Sequence, residues 1–260
     1  MGHNRLGDLP RTRRWKDVVD LLRDAPADTA HLGAALVEAA DSRFLELARE
    51  PTLAYPLWLL ARIAWASRST RFLAELGRLG IQANPSSSAL DIIGAVGERV
   101  RREALTGPPS GHLSEFAVHA LRSCLTATVA TQDRSLFDSG LTDVQRAFRT
   151  FSTQVRFGEL ARRFFADFMS RALLSFVERE IGKHVGGAAI PHPSDSAEFR
   201  HALDTHTWEA AAIVERFAGE WYSKHNWQTG GDITPDEAQG FVAQGLRKLR
   251  GELRRGAGPA

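Results

Sequence analysis

Histidine beside carboxylate is the pairing in this sequence with the clearest chemical use. Glu198 and His201 have the Glu-x-x-His spacing, by which helical bundles that hold two iron ions present ligands from one helix. A full site of that kind takes a second Glu-x-x-His and two further glutamates. The chain offers instead Glu115 with His119 and Glu180 with His184, each pair four positions apart. His201 also falls off the apolar seam of Phe199, Leu203 and His206, which turns it toward water. The expectation is therefore no metal and no other cofactor, with Glu198 and His201 as the ligands of the alternative reading. His206 does lie on the seam, beside Asp204 and Trp208. A lone seam histidine is usually a core residue bonded to a carbonyl or carboxylate. Its alternative is acid–base catalysis together with Glu198 and His201.

A second kind of chemistry is recognition. Glu220-Trp-Tyr-Ser-Lys-His-Asn-Trp227 closes on Gly230-Gly231 and sets Trp221, Tyr222 and Trp227 beside Lys224 and His225 at a helix end. Such a group can anchor a protein partner or stack bases. The plainer reading has Trp221 in the seam and Trp227 folded back onto the helix end. Of the two binding roles, protein docking ranks above nucleic acid. Basic clusters at Arg11, Arg13, Arg14 and Lys16, and at Arg247, Lys248 and Arg250 within a run to Arg255, could touch phosphates. Asp17, Asp20 and Glu252 interrupt or follow them, as is common at solvated helix ends.

Motifs with stronger claims are absent. There is no GxxxxGK[ST], no GxGxxG after a strand, no GxSxG and no HExxH. Nucleases of the Asp…Asp/Glu-x-Lys type need an acid two positions before a lysine. Here those positions hold Arg14, Ile181, Tyr222 and Leu246. Cys124 sits in an apolar helical pattern and reads as an inert buried thiol.

The elements that would position these residues are helices. From Phe157 to Ile181 the apolar positions Phe157, Leu160, Ala161, Phe164, Phe168, Ala172, Phe176, Val177 and Ile181 recur at three and four. Phe165, Met169, Leu173 and Leu174 widen that face, leaving Arg162, Arg163, Ser170, Arg171, Glu178 and Arg179 for water. A helix buried over so much of its circumference must be surrounded by others. Before it, Leu57 to Ala66 is apolar nearly all round and reads as the core helix of the N-terminal half, with Pro51 ending the helix before it and Pro56 in its first turn. Ser88 caps the next stripe, and Thr142-Asp-Val-Gln145 fits a capping box. Gly182 to Asp195 reads as a loop. Phe199, Leu203, His206, Ala210, Ile213, Phe217 and Trp221 predict one long helix with a nearly heptad seam. Thr234-Pro-Asp-Glu237 is the clearest helix start.

No stretch shows clean two-residue alternation, so the predicted fold is all-α: a bundle of about ten helices around a long central one at about 153–184. Thr106-Gly-Pro-Pro-Ser-Gly111 is the strongest break in the first half. It suggests an N-terminal helical subdomain, 1–106, and a C-terminal bundle, 111–255.

With 43% hydrophobic and 25% charged residues in 260, and a net charge of +2, the composition is that of an ordinary globular chain. One cysteine excludes an internal disulfide. No signal peptide or membrane anchor is read in it, and the expected location is the cytoplasm. In the last quarter, Phe217-Ala-Gly-Glu-Trp-Tyr-Ser-Lys224, Gly230-Gly231-Asp-Ile-Thr-Pro235 and Phe241-Val242 resemble uncharacterised all-helical bacterial proteins of multi-gene operons, some linked to phage defence. The resemblance implies no catalytic residue. It implies an accessory subunit whose partners are other proteins, encoded nearby. The expectation is thus a non-catalytic adaptor docking through the Trp221–Trp227 end. The alternatives are an enzyme near Glu198, His201 and His206, and a nucleic-acid-binding subunit using the arginine clusters.

Overall fold

The computed structural model describes residues 13–24, 29–40, 51–105, 112–130, 140–184 and 192–255. Among them are eleven α-helices and no strand, an all-α multi-helix bundle. In order they are α1 (Arg13–Asp24), α2 (Thr29–Ala39), α3 (Pro51–Ala66), α4 (Phe72–Arg78), α5 (Ala89–Ala104), α6 (His112–Ala130), α7 (Leu141–Thr150), α8 (Gln154–His184), α9 (Pro193–Ala210), α10 (Ala212–Thr229) and α11 (Pro235–Arg255). The predicted turn at 25–28, the continuation through Phe44 and Leu45, and the break at 106–111 lie outside the described residues.

The 31-residue α8 is the central helix, packed against α6, α9 and α10. Phe157, Phe164, Phe165, Phe168, Met169 and Leu173 on it are fully buried. Their rings continue into the neighbours: Phe157 stacks on Tyr222 at 4.1 Å, and Phe165 meets Phe241 edge-on at 6.1 Å. Ser170, expected on the wet strip, is buried, its hydroxyl donating to the Asp204 carboxylate of α9.

The approach of α8 to α10 is unusually close because glycine lies on both sides. A Cβ on Gly158 would stand 2.3 Å from the Glu215 carbonyl oxygen, and one on Gly219 2.5 Å from that of Gln154. As residue numbers rise on one helix and fall on the other, the pair is antiparallel. Arg162 bonds Glu215 at 2.9 Å across it.

Helix ends follow local chemistry. Ser88 and Asp91 form a reciprocal box at the start of α5, and Thr234 with Glu237 another at α11, where the Thr234 N–H donates to the glutamate at 2.7 Å and its hydroxyl accepts from the Glu237 N–H at 3.3 Å. α10 ends in a left-handed Gly230, and the Gly231 N–H reaches the Asn226 carbonyl at 3.1 Å, the Schellman arrangement. Gly231, with φ +93°, lies so close to Trp65 that any Cβ would overlap the indole.

Four expectations are corrected. Pro56, expected in the first turn of its helix, lies inside α3, which opens at Pro51. At α7 the cap position is Gly140, whose N–H donates to Asp143 at 3.1 Å, while Gln145 reaches away to the carbonyls of Ser67 and Ser69 at 2.9 and 2.8 Å. Of the predicted loop 182–195, residues 182–184 belong to α8 and 193–195 to α9, and 185–191 lie outside the described residues. The predicted single helix from Phe199 to Trp221 is two, broken at Ala211. The Arg162 Nε–H donates to the Trp208 carbonyl at 3.1 Å, the group that a continuous helix would offer to Ala212. The Thr207 hydroxyl donates back to the Leu203 and Asp204 carbonyls just before the break, a bond that bends helices.

One connected cluster of buried side chains runs from Trp15 to Leu253, drawing on both 1–106 and 111–255. α3 is the main tie: it packs on α11 and α6, its Trp58 indole donates to the Ile233 carbonyl at 2.7 Å, and its Arg62 donates to the Gly231 carbonyl at 2.7 Å.

Candidate functional site

Between α10 and α11 lies an open groove of about 520 Å³ with an aromatic floor. Phe217 and Phe241 stack at 5.0 Å, and Trp221 lies 4.8 Å from Phe241. The floor exists because Phe217, Trp221 and Phe241 keep one edge in the core and one toward the groove. Lys224, His225 and Glu237 stand on its rims.

The rims are chemically defined. The His225 Nδ1 lies 2.9 Å from the Trp221 carbonyl. A carbonyl only accepts, so Nδ1 carries the proton and Nε2 of the neutral ring faces outward as an acceptor. Glu237 is occupied by the α11 cap. The Thr234 N–H, above all, holds its carboxyl below the ordinary range. Glu220 is paired with Arg216 at 3.2 Å. Among the described residues Lys224 has no carboxylate partner, nor has Lys248, which reaches over the Phe217 ring at 5.5 Å. The lining therefore carries charges of both signs, Lys224 against the carboxylates of Glu220 and Glu237.

The structure divides the five residues of the predicted docking end. Trp221 is 8% exposed and Tyr222 2%, so both belong to the core, Trp221 showing only its groove edge. Burial raises the Tyr222 hydroxyl well above its usual pKa, and that oxygen has no hydrogen-bond partner among the described residues. Lys224 and Trp227 are exposed and His225 is half-buried. Trp227 does not fold back: it is 85% exposed. Lying three residues beyond Lys224 and seven beyond Glu220, it extends the α10 wall of the groove by one turn.

The basic clusters come together at another place. Glu38 of α2 bonds Arg14 at 3.3 Å and Arg254 at 2.5 Å, joining the two ends of the chain. Arg13, Lys16, Arg247 and Lys248 are exposed, whereas Arg250 is only 9% exposed. Burial, aided by the neighbouring Arg254 charge, lowers the Arg250 pKa, and Glu38 opposes it. Arg11 lies outside the described residues.

The histidine–carboxylate leads are scattered. Glu198 and His201 are both exposed on α9, and among the described residues no three of His, Cys, Asp and Glu gather as ligands. His206 is half-buried, its Nε2 sealed from water with no partner among the described residues. Glu115 is held by Arg101 of α5 at 3.1 Å, away from exposed His119. The side chains of Glu180 and His184 lie outside those described. Cys124 is fully buried, its thiol pushed up to about 12 by desolvation.

Sequence reasoning missed a cleft at the junction of α3 and α4, where Arg62, Arg68 and Arg78 converge round Trp65. The signal present in the sequence was arginine recurring through Arg62, Arg68, Arg71 and Arg78 beside Trp65.

Comparison with protein-family models, with curated proteins and with solved structures gave no match. No helix among the described residues is long and apolar enough to cross a membrane.

Proposed function

We propose that this chain is a helical adaptor subunit, docking a segment of a partner protein in the α10–α11 groove. The observation that carries the reading is Trp227, a large aromatic left 85% exposed as the continuation of an aromatic-floored groove. Tryptophan is the side chain most enriched among residues that dominate binding energy. Lys224 and Lys248, with no carboxylate partner among the described residues, favour a partner segment whose apolar anchor has a carboxylate on their side of the groove. The resemblance to bacterial operon proteins, some of them linked to phage defence, supports a search for that partner among the products of adjacent genes.

The test is co-purification with the neighbouring gene products, comparing the native chain with Trp227→Ala and Lys224→Glu. Both residues are exposed, so unfolding midpoints should hold to within about 0.5 kcal/mol. Loss of Trp227 should weaken docking by about 2 kcal/mol, roughly thirtyfold in Kd. Retention of the partner at full affinity by both variants would remove the groove from the account.

A further inference from the structure

The α3–α4 cleft is chemically unlike the groove. It encloses about 400 Å³, within the range of small-molecule sites, and its walls are rich in hydrogen-bond donors. Three guanidinium groups, of Arg62, Arg68 and Arg78, face a single lining carboxylate, Glu75.

Each guanidinium is held yet incompletely used. Arg62 spends one nitrogen on the Gly231 carbonyl and Asp232 at 2.7 and 2.5 Å. Arg78 spends one on Glu75 at 2.7 Å. Arg68 sits over the Trp65 ring at 4.5 Å, with no carboxylate partner among the described residues. The Ser69 oxygen accepts the Arg71 N–H at 3.1 Å, which leaves its own O–H to donate. The turn carrying Arg68 and Ser69 is fixed from behind, since Gln145 of α7 donates to the carbonyls of Ser67 and Ser69. Free donors converging on a fixed frame call for a ligand that only accepts and is negatively charged. The planar forks of arginine match phosphate oxygens in pairs.

We infer that this cleft binds a small phosphate-bearing anion of diphosphate class, with Arg68 and Arg78 as its principal contacts and Arg62 and Ser69 at its base. Base stacking on Trp65 is not part of it: Arg68 covers one face of the indole and Gly231 presses on its Nε1 edge.

Isothermal titration of the full chain with inorganic pyrophosphate, at ionic strength matched with sodium chloride, tests the inference. The expected result is saturable binding at one site. It should weaken at least about tenfold in Arg68→Ala and in Arg78→Ala, each losing a charge-assisted bond, and stay unchanged in Arg156→Ala, an exposed arginine of α8. Arg68→Lys, which keeps charge but loses the fork, should fall between, and circular dichroism should show all four variants folded. No saturable heat, or pyrophosphate affinity unchanged by both Arg68→Ala and Arg78→Ala, overturns the site. A single-stranded oligonucleotide that binds more tightly than pyrophosphate through the same arginines overturns the small-ligand reading in favour of a polymer.

Discussion

Gly158 and Gly219 offer the sharpest test of how the bundle is assembled. A methyl group added at Gly158 would lie 2.3 Å from the Glu215 carbonyl oxygen, and one at Gly219 2.5 Å from that of Gln154, each roughly 1 Å inside ordinary contact. A backbone oxygen cannot rotate away as a side chain can, so α8 and α10 must separate. Overpacking of this kind costs about 1–3 kcal/mol, and a rigid backbone neighbour puts these sites near the top of that range. Alanine returns about 1 kcal/mol of helix propensity, leaving a net loss of about 2 kcal/mol. At roughly 2–4 °C per kcal/mol for a chain of this size, the midpoint should fall by about 4–8 °C in Gly158→Ala and in Gly219→Ala. Gly77 and Gly94, also helical, have nothing within 4 Å of the added atom. Alanine there should stabilise by about 0.4–1 kcal/mol through the unfolded chain. Thermal unfolding followed at 222 nm reads all four. The double variant should cost less than the sum, because a helix pair already forced apart accepts the second methyl. If Gly158→Ala and Gly219→Ala raise the midpoint as the controls do, the α8–α10 contact is not as described.

Other predictions follow from groups outside the groove floor. Cys124, buried and raised to about 12, should resist an aromatic disulfide reagent in the native protein and react at once in urea; rapid native labelling would contradict its burial. Glu237 has a folded pKa below its ordinary 4.5, so its contribution to stability is present above that value and lost as pH falls through the folded one. Glu237→Gln should therefore flatten the acid limb of the stability profile below its ordinary value, and Thr234→Ala should cost about 1 kcal/mol; an unchanged acid limb would mean that the cap is not formed. Arg162→Ala frees the Trp208 carbonyl and leaves Glu215 unpaired. It should destabilise by about 1–3 kcal/mol, and a neutral result would mean that this arginine does not hold the α9–α10 break.

The all-α class and the central helix were legible because α8 repeats large apolar side chains at helical spacing over most of its 31 residues. The caps at Ser88 and Thr234 were legible because capping is local chemistry, complete within four residues. The break at Ala211 was not. The seam spacing passes through it undisturbed, and its cause is Arg162, a residue about fifty positions away. Pro56 misled for a related reason: a proline suits a first helical turn, but it does not exclude a helix that starts one turn earlier, at Pro51. At the candidate site, the sequence pointed to the Trp221–Trp227 end without separating core from surface. Only packing against Phe157 turns Tyr222 inward, while nothing covers Trp227. The α3–α4 cleft depends on Gln145 and Gly231 arriving from elsewhere in the chain. No local window displays that convergence.

The adaptor reading is tested most directly by hydrogen exchange on the chain alone and in complex with its co-purified partner. The account predicts new protection confined mainly to 217–228 and 237–244, the two walls of the groove. Protection confined to the Arg14–Glu38–Arg254 end or to α9, with the groove walls exchanging as in the free chain, would contradict it.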